Sequence, residues 1–545
     1  MRKNLFILLI PFLFLAGCKS SGKTGDWSRK DTSLNGVTVE GTRFVDSFGR
    51  QVIFHGINRV NKDPNMKYLD ADSNGTYEQF SISGFNCIRL GIIWDGMEPE
   101  PGKYNEAYLD KLEERVNWAT RNGIYVMLDM HQDLYSVLFS DGAPKWATLT
   151  EGQPHAKGAI WSDSYFMSMA VQKAFDNFWA NTPASDSIGI QDHYARMWQH
   201  IAKRFAGNKG VIGYDIMNEP FNGSQGLYIL PVILQEYAKM YAEETGKVMN
   251  EKEVMEVWAD EEKRLEALSR MQDAEKYKRV IDVATSLSQE FEKNQLQNFY
   301  QRVANQIREV DTTHILFLEH AYFSNTGISS GISPVKMKDG STDPLVAYAA
   351  HGYDLLTDTK QVDAQCKDRV SLIFRRIDET SKQINVPVLV GEWGAMGGNA
   401  GATVNAVNDI LTLFEQYHFG HTFWAYYDGL LNENVFKKAL LRPYPPFISG
   451  KLVAWSYEPA SGKFTCTWTE SPEVKAPTVI YLPMLEWLDK ESISLVPEGE
   501  NAIVEPAAKG PHGFIQVPSS GGSETRTLQF TLGKKNDPSI PISRP

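Results

Sequence analysis

The sequence predicts an α/β chain in which a (β/α)8 barrel over residues 36–440 is followed by an all-β sandwich over residues 441–545. Three observations carry this. Short apolar runs recur eight times between residues 40 and 437, with amphipathic helical stretches between most of them. Two of these runs, Gly213–Asn218 and Val388–Gly391, lead directly into a glutamate, as reactive groups do at the C-terminal ends of barrel strands. After residue 440 the helical period gives way to alternating apolar and polar residues punctuated by Pro and Gly.

In chain order, Arg2 and Lys3 precede the apolar run Leu5–Leu15, which is too short to span a bilayer and reads as a secretion signal over residues 1–17. The run ends in Leu15-Ala16-Gly17-Cys18, which resembles a bacterial lipoprotein lipobox. That resemblance implies a lipidated Cys18, a membrane anchor and export to the cell envelope, at the outer membrane or cell surface. The other reading is an ordinary signal peptide with an incidental cysteine. Residues 18–35 are polar and rich in Gly, Ser and Lys, as a flexible tether should be.

The eight strand candidates are Val52–Asn58, Asn86–Leu90, Tyr125–Met130, Gly213–Asn218, His314–Glu319, Val346–His351, Val388–Gly391 and Gly420–Ala425. Intervening runs such as Tyr108–Asn122 and Phe299–Val310 carry apolar residues at helical spacing. Between the fourth and fifth strands the connection is too long for one barrel helix, and residues 228–297 read as an inserted helical segment that breaks near Gly246. It is either a solvated surface elaboration or a lid over the substrate. The sandwich strands are expected at Lys451–Tyr457, Lys463–Thr469, Thr478–Leu482, Gly513–Val517 and Thr527–Leu532. That domain either braces the barrel or binds a ligand.

Composition excludes several classes. A net charge of −12 without clustered Lys and Arg argues against a nucleic-acid partner. With Cys18 set aside, Cys87, Cys366 and Cys466 are odd in number and widely spaced, so no disulfide framework is expected. Cys87 lies in the apolar run Phe85–Leu90 and reads as a small buried hydrophobe. HExxH, CxxC and EF-hand patterns are absent, so neither a metal nor another cofactor is expected. The chain is expected to be a monomer. Aromatic residues make up 12% of it, enough to supply flat platforms for sugar rings as well as core.

Glycosidic hydrolysis needs two carboxyl groups flanking the bond. Glu219 follows Gly213-Tyr214-Asp215-Ile216-Met217-Asn218, and Glu392 follows Pro387-Val388-Leu389-Val390-Gly391. The fourth and seventh strands face each other across a barrel, so the two carboxyls can converge over its mouth. Sequence leaves their separation open, and with it the choice between retention and inversion. An isolated glutamate at a strand end could equally cap a helix or pair with a lysine; a non-catalytic glycan-capturing lipoprotein, however, would need no carboxylate pair.

Arg89, His131, Asn218-Glu219-Pro220, His351, Tyr353, Gly391-Glu392 and Trp424, in this order and at strand ends, resemble glycoside hydrolase family five. The resemblance implies retention, with Glu219 as acid/base and Glu392 as nucleophile, and with Arg89 and Tyr353 keeping the nucleophile ionised and oriented. Two close carboxyls cannot both ionise cheaply, so Glu219 would begin as the acid and switch to base once Glu392 carries the sugar. Asn61-Lys62, the stretch Gly91–Pro99, His131-Gln132-Asp133 with Tyr135-Ser136, Thr422–Asp428 and Arg442-Pro443-Tyr444-Pro445 are similar to the endoglycoceramidases of that family. Carried over by position, Lys62, His131, Asp133, Asn218, His351, Tyr353 and Trp424 would contact the sugars. Trp424 suits a stacking face, and core filling is its other reading. The implied substrate is a glycosphingolipid cleaved between oligosaccharide and ceramide; the alternative is glucosylceramide, a sterol glucoside or a soluble β-glucan. A ceramide needs an apolar groove, and Leu134, Val137, Leu138, Phe139 and Trp146 either supply it or pack their own loop. The insert at 228–297 is longer and more charged than the family pattern suggests.

Overall fold

The structure is a computed structural model that describes residues 34–533 except 159, 358, 360, 499 and 500. The expected signal peptide, Cys18 and nearly all of the tether lie outside the described residues.

Eight parallel strands form the barrel: β1 (His55–Arg59), β2 (Cys87–Ile93), β3 (Tyr125–His131), β4 (Val211–Asp215), β5 (Ile315–Leu318), β6 (Val346–Tyr348), β7 (Leu389–Val390) and β8 (Gly420–Phe423). They pair in the order β7-β8-β1-β2-β3-β4-β5-β6. A parallel bridge from Tyr348 to Val388 closes the ring. β2 and β3 are buried at every position, as strands covered on both faces must be, and this is why they read as apolar runs interrupted only by Arg89 in the first and by Asp129 and His131 in the second. The outer helices bury one stripe each. Helix Glu106–Arg121 starts at Asn105, whose side chain accepts from the Tyr108 amide, and it lays Leu109, Leu112 and Val116 on the barrel.

The amino-terminal residues correct one expectation. Residues 36–52 do not belong to the barrel: strands Val37–Glu40, Arg43–Asp46 and Gln51–Val52 continue a sheet through Tyr444–Ile448, Thr478–Leu482, Gly513–Val517 and Ile503–Pro506. The cause is the barrel floor, where Phe54, Tyr125, Met127 and Phe317 form an apolar layer that needs a cover. Phe44 supplies it, its ring centroid 5.2 Å from that of Phe54 and 6.1 Å from that of Phe317. Cys87 lies in the same layer.

A second sheet, Gly450–Glu458, Lys463–Glu470, Thr525–Leu532 and Leu488–Val496, faces the first across a core that includes Trp455, Phe464, Trp468, Ile480, Ile515 and Phe530. Side chains of Lys463–Glu470 alternate in burial, the period-two signature of one covered face. The long connection after β4 folds as helices Ile229–Thr245, Glu251–Ala259, Glu261–Arg270, Ala274–Asp282 and Thr285–Phe291. The first stops at Gly246, whose φ of 72° is the left-handed C-cap that glycine adopts without cost. No helix among the described residues is long and apolar enough to cross a membrane.

Candidate active site

At the C-terminal end of the barrel, one guanidinium organises the polar centre. Arg89 is fully buried on β2, with Nε 2.8 Å from Asp215 Oδ2, Nη1 2.6 Å from Glu392 Oε1, and Nη2 2.9 Å from both Glu319 Oε1 and Asp129 Oδ1. Asp129 lies on β3, Asp215 ends β4, and Glu319 and Glu392 follow β5 and β7. One cation thus faces four carboxylates. A second, His351, places Nδ1 3.0 Å from Glu219 Oε1 and Nε2 3.2 Å from Glu319 Oε1. Burial works against its charge, yet Glu319 and Glu392 hold the imidazole well above its ordinary pKa.

Glu392 receives a hydrogen bond from the Tyr353 hydroxyl at 3.1 Å and one from Arg89. Burial nevertheless pushes its pKa up to about 7; His351 and Arg89 pull it down, and the Glu219 carboxyl opposes them. Arg89 therefore orients the carboxyl, and its pull on the pKa is outweighed by burial. Glu219 lies beyond the end of β4 in a left-handed conformation with φ of 43°. That strained backbone is held by the Glu219 amide donating to Glu319 Oε2 at 2.8 Å. Asn325 Nδ2 donates to Glu219 Oε1 at 2.7 Å. One carboxylate oxygen of Glu219 and one of Glu392 lie within 4.8 Å of each other.

Both carboxyls open on a cavity of about 340 Å3, also lined by Lys62, His131, Asp133, Tyr353 and Trp424. On the wall nearer β1, β3 and β8, the Trp424 ring stacks on His131 at 5.1 Å with an interplanar angle of 10°. Lys62 Nζ sits 4.8 Å from the centroid of Trp424 and pairs with Asp133. Burial pulls His131 well below its ordinary pKa, so it stays neutral, with Nδ1 bonded to Asp129 Oδ2 at 2.9 Å. Asn218 and His351, also expected to touch sugar, are not among the lining residues. Asn218 accepts from Arg89 Nη2 and donates to the Gln132 carbonyl, and His351 is paired with Glu219 and Glu319.

Leu134, Val137, Leu138, Phe139 and Trp146, in the loop after β3, do not line the cavity. Leu134 is buried, the Phe139 ring stacks on His155, and Trp146 packs edge-on to Trp94. The apolar lining comes from Ile160, Trp161, Trp258, Tyr322 and Leu355 instead. Sequence reading also passed over Asp129, Asp215, Glu319 and Asn325. The first two had a signal, an acid inside an apolar strand run, and so did Glu319, which closes the apolar run His314–Glu319.

Among the described residues, three sets of acids and histidines lie close enough to hold a cation: His131, Asp133 and Asp141; Glu219, His351 and Glu392; and Asp129, Asp215 and Glu319. A protein cation already contacts each: Lys62 the first, Arg89 the other two.

The family model described as cellulase, glycosyl hydrolase family 5, matches residues 45–429, and that of the glycoside hydrolase family 5 C-terminal domain matches residues 442–509. The chain is 23% identical to endoglycoceramidase I of Rhodococcus hoagii over 495 residues, covering 88% of this chain and 85% of that protein. It is 36% identical to an endoglycoceramidase of Cyanea nozakii over 219 residues, 35% of this chain and 42% of that protein. Endo-glycoceramidase II from Rhodococcus sp., solved with a five-membered iminocyclitol, superposes with a TM-score of 0.67 at 25% identity, covering 90% of this chain and 99% of that one.

Proposed function

The chain belongs to glycosyl hydrolase family 5, and on that premise we propose that it is a retaining β-glycosidase cleaving the bond between oligosaccharide and ceramide in glycosphingolipids. The observation that carries retention is the approach of the two carboxyls to within 4.8 Å. A separation of about 5 Å suits direct attack on the anomeric carbon, whereas inversion needs room for a water between acid and base.

Glu392, oriented by Arg89 and Tyr353, attacks the anomeric carbon while Glu219 gives its proton to the departing oxygen. The leaving group departs as the neutral alcohol and the sugar stays esterified to Glu392. Glu219, now a carboxylate, takes a proton from water, whose oxygen displaces Glu392 and restores the β configuration. Trp424 offers the sugar ring a flat face, and Lys62 and Asp133 offer hydrogen bonds to its hydroxyls. The names of the relatives support ceramide as the leaving group, and so does an apolar lining formed by Trp161, Trp258, Tyr322 and Leu355. The run ending at Cys18 supports an enzyme anchored at the cell envelope through that residue.

Purified protein incubated with a ganglioside and with glucosylceramide should release intact oligosaccharide and ceramide from the first. Release of glucose from the second alone would move the assignment to a glucosylceramide β-glucosidase, and inertness toward both would reject a sphingolipid substrate.

A further inference from the structure

The insert after β4 does more than cover the surface: two of its helices reach the cavity. Trp258, on Glu251–Ala259, and Arg264, on Glu261–Arg270, both line it. They act as a pair. The Arg264 guanidinium carbon lies 4.5 Å from the centroid of the Trp258 ring, while Nε and Nη2 donate to the Trp258 carbonyl at 3.0 and 2.6 Å. Arg264 is only 8% exposed. Among the described residues no carboxylate lies within ion-pair distance of it, and Nη1 has no hydrogen-bond partner.

The position of the pair follows from its packing. The Trp258 ring meets Phe166 at 5.8 Å, and Phe166 meets Phe221 at 6.1 Å and Phe323 at 5.7 Å. Phe221 follows Glu219-Pro220, and Phe323 shares its turn with Asn325, the donor to Glu219. The pair therefore stands on the side of the proton donor Glu219, where the leaving group sits. Trp161, which lines the same cavity, is 43% exposed, and Met167, next in sequence to Phe166, and Met255, on the Trp258 helix, are 57% and 53% exposed. Met255 and Trp258 are one turn apart on one helix face.

We propose that the insert is the leaving-group wall of the site, with Trp258 and Arg264 selecting aglycones in which a hydrogen-bond acceptor heads an apolar chain. Trp258 and the methionine rim take the chain, and the unused Arg264 donor takes an oxygen at the head. This rests on the assignment of Glu219 as proton donor.

Three substrates sharing one glycan test it: lactosylceramide, with tails and head acceptors; dodecyl β-lactoside, with a tail alone; and β-lactosyl fluoride, with neither. In W258A the kcat/KM ratio of dodecyl lactoside to lactosyl fluoride should fall about tenfold or more, with the loss in KM. In R264Q the ratio of lactosylceramide to dodecyl lactoside should fall about tenfold. W258F and R264K, which preserve ring and charge, replace the first variants if those do not fold; a smaller loss in the same ratio is expected of each. Ratios that stay within twofold of wild type in all folded variants overturn the proposal. Should wild type cleave dodecyl lactoside but not lactosylceramide, the ceramide assignment falls, and the wall is judged on the tryptophan variants alone.

Discussion

Glu392 must be ionised to attack, and burial holds its pKa at about 7. As pH falls through about 7 the carboxyl takes up a proton, so kcat/KM should decline on the acid side there rather than near the ordinary carboxylate range. Of the cations around Glu392, His351 pulls its pKa down most. Removing it in H351Q leaves the carboxyl harder to ionise, so the acid limb of a pH–kcat/KM profile should shift to higher pH; a shift to lower pH would contradict the electrostatics. E392Q should lose about four orders of magnitude in kcat, since no other group can form the ester. Y353F deletes one donor to a charged oxygen and should cost about 1.5–3 kcal/mol in the barrier, a tenfold or greater loss in kcat at unchanged melting temperature.

At the scale of elements, the chemistry depends on short turns after strands. Gly391 precedes the nucleophile, and a Cβ there would come within 3.0 Å of His351 Nε2 and 3.5 Å of Arg89 Nε. G391A should therefore push His351 off its carboxylates and lower kcat more than it lowers stability, measured by comparing turnover with thermal unfolding. The strands themselves were legible because parallel strands covered on both faces are largely apolar, with Arg89, Asp129 and Asp215 the charged exceptions that build the site. Their ends were less so: Glu219 reads as a strand terminus, yet β4 stops at Asp215 and the acid reaches the mouth through a left-handed turn that no apolar pattern encodes. Glu392 was easier, since His351 and Glu392 pair in register just beyond β6 and β7. Trp258 and Arg264 were illegible for another reason. Amphipathic spacing tells that a helix buries a face, and only the fold-back of the insert decides what that face meets.

At the scale of the whole molecule, the sandwich and barrel share structure that a linear boundary cannot divide. Val52 pairs with Phe447, Phe44 plugs the barrel floor, and the Tyr444 and Tyr481 hydroxyls donate to the Gly84 and Ile82 carbonyls at 2.8 and 3.0 Å. Between the two bodies lies a buried ion pair, Arg442 with Glu415, in which Arg442 is 2% exposed and Nε and Nη1 have no hydrogen-bond partner. Burial already pulls the Arg442 guanidinium below its ordinary pKa. Cutting Glu415 to alanine would leave that charge uncompensated, at a cost of about 3–5 kcal/mol. Because strands from both ends of the chain complete one sheet against the barrel floor, the loss should spread through the molecule. Calorimetry of E415A should show one unfolding transition at lower temperature than wild type, while kcat at 25 °C stays close to wild type because the pair is remote from Glu219 and Glu392. Two transitions, with only one displaced, would mean that the sandwich unfolds without the barrel and that the amino-terminal strands do not couple them.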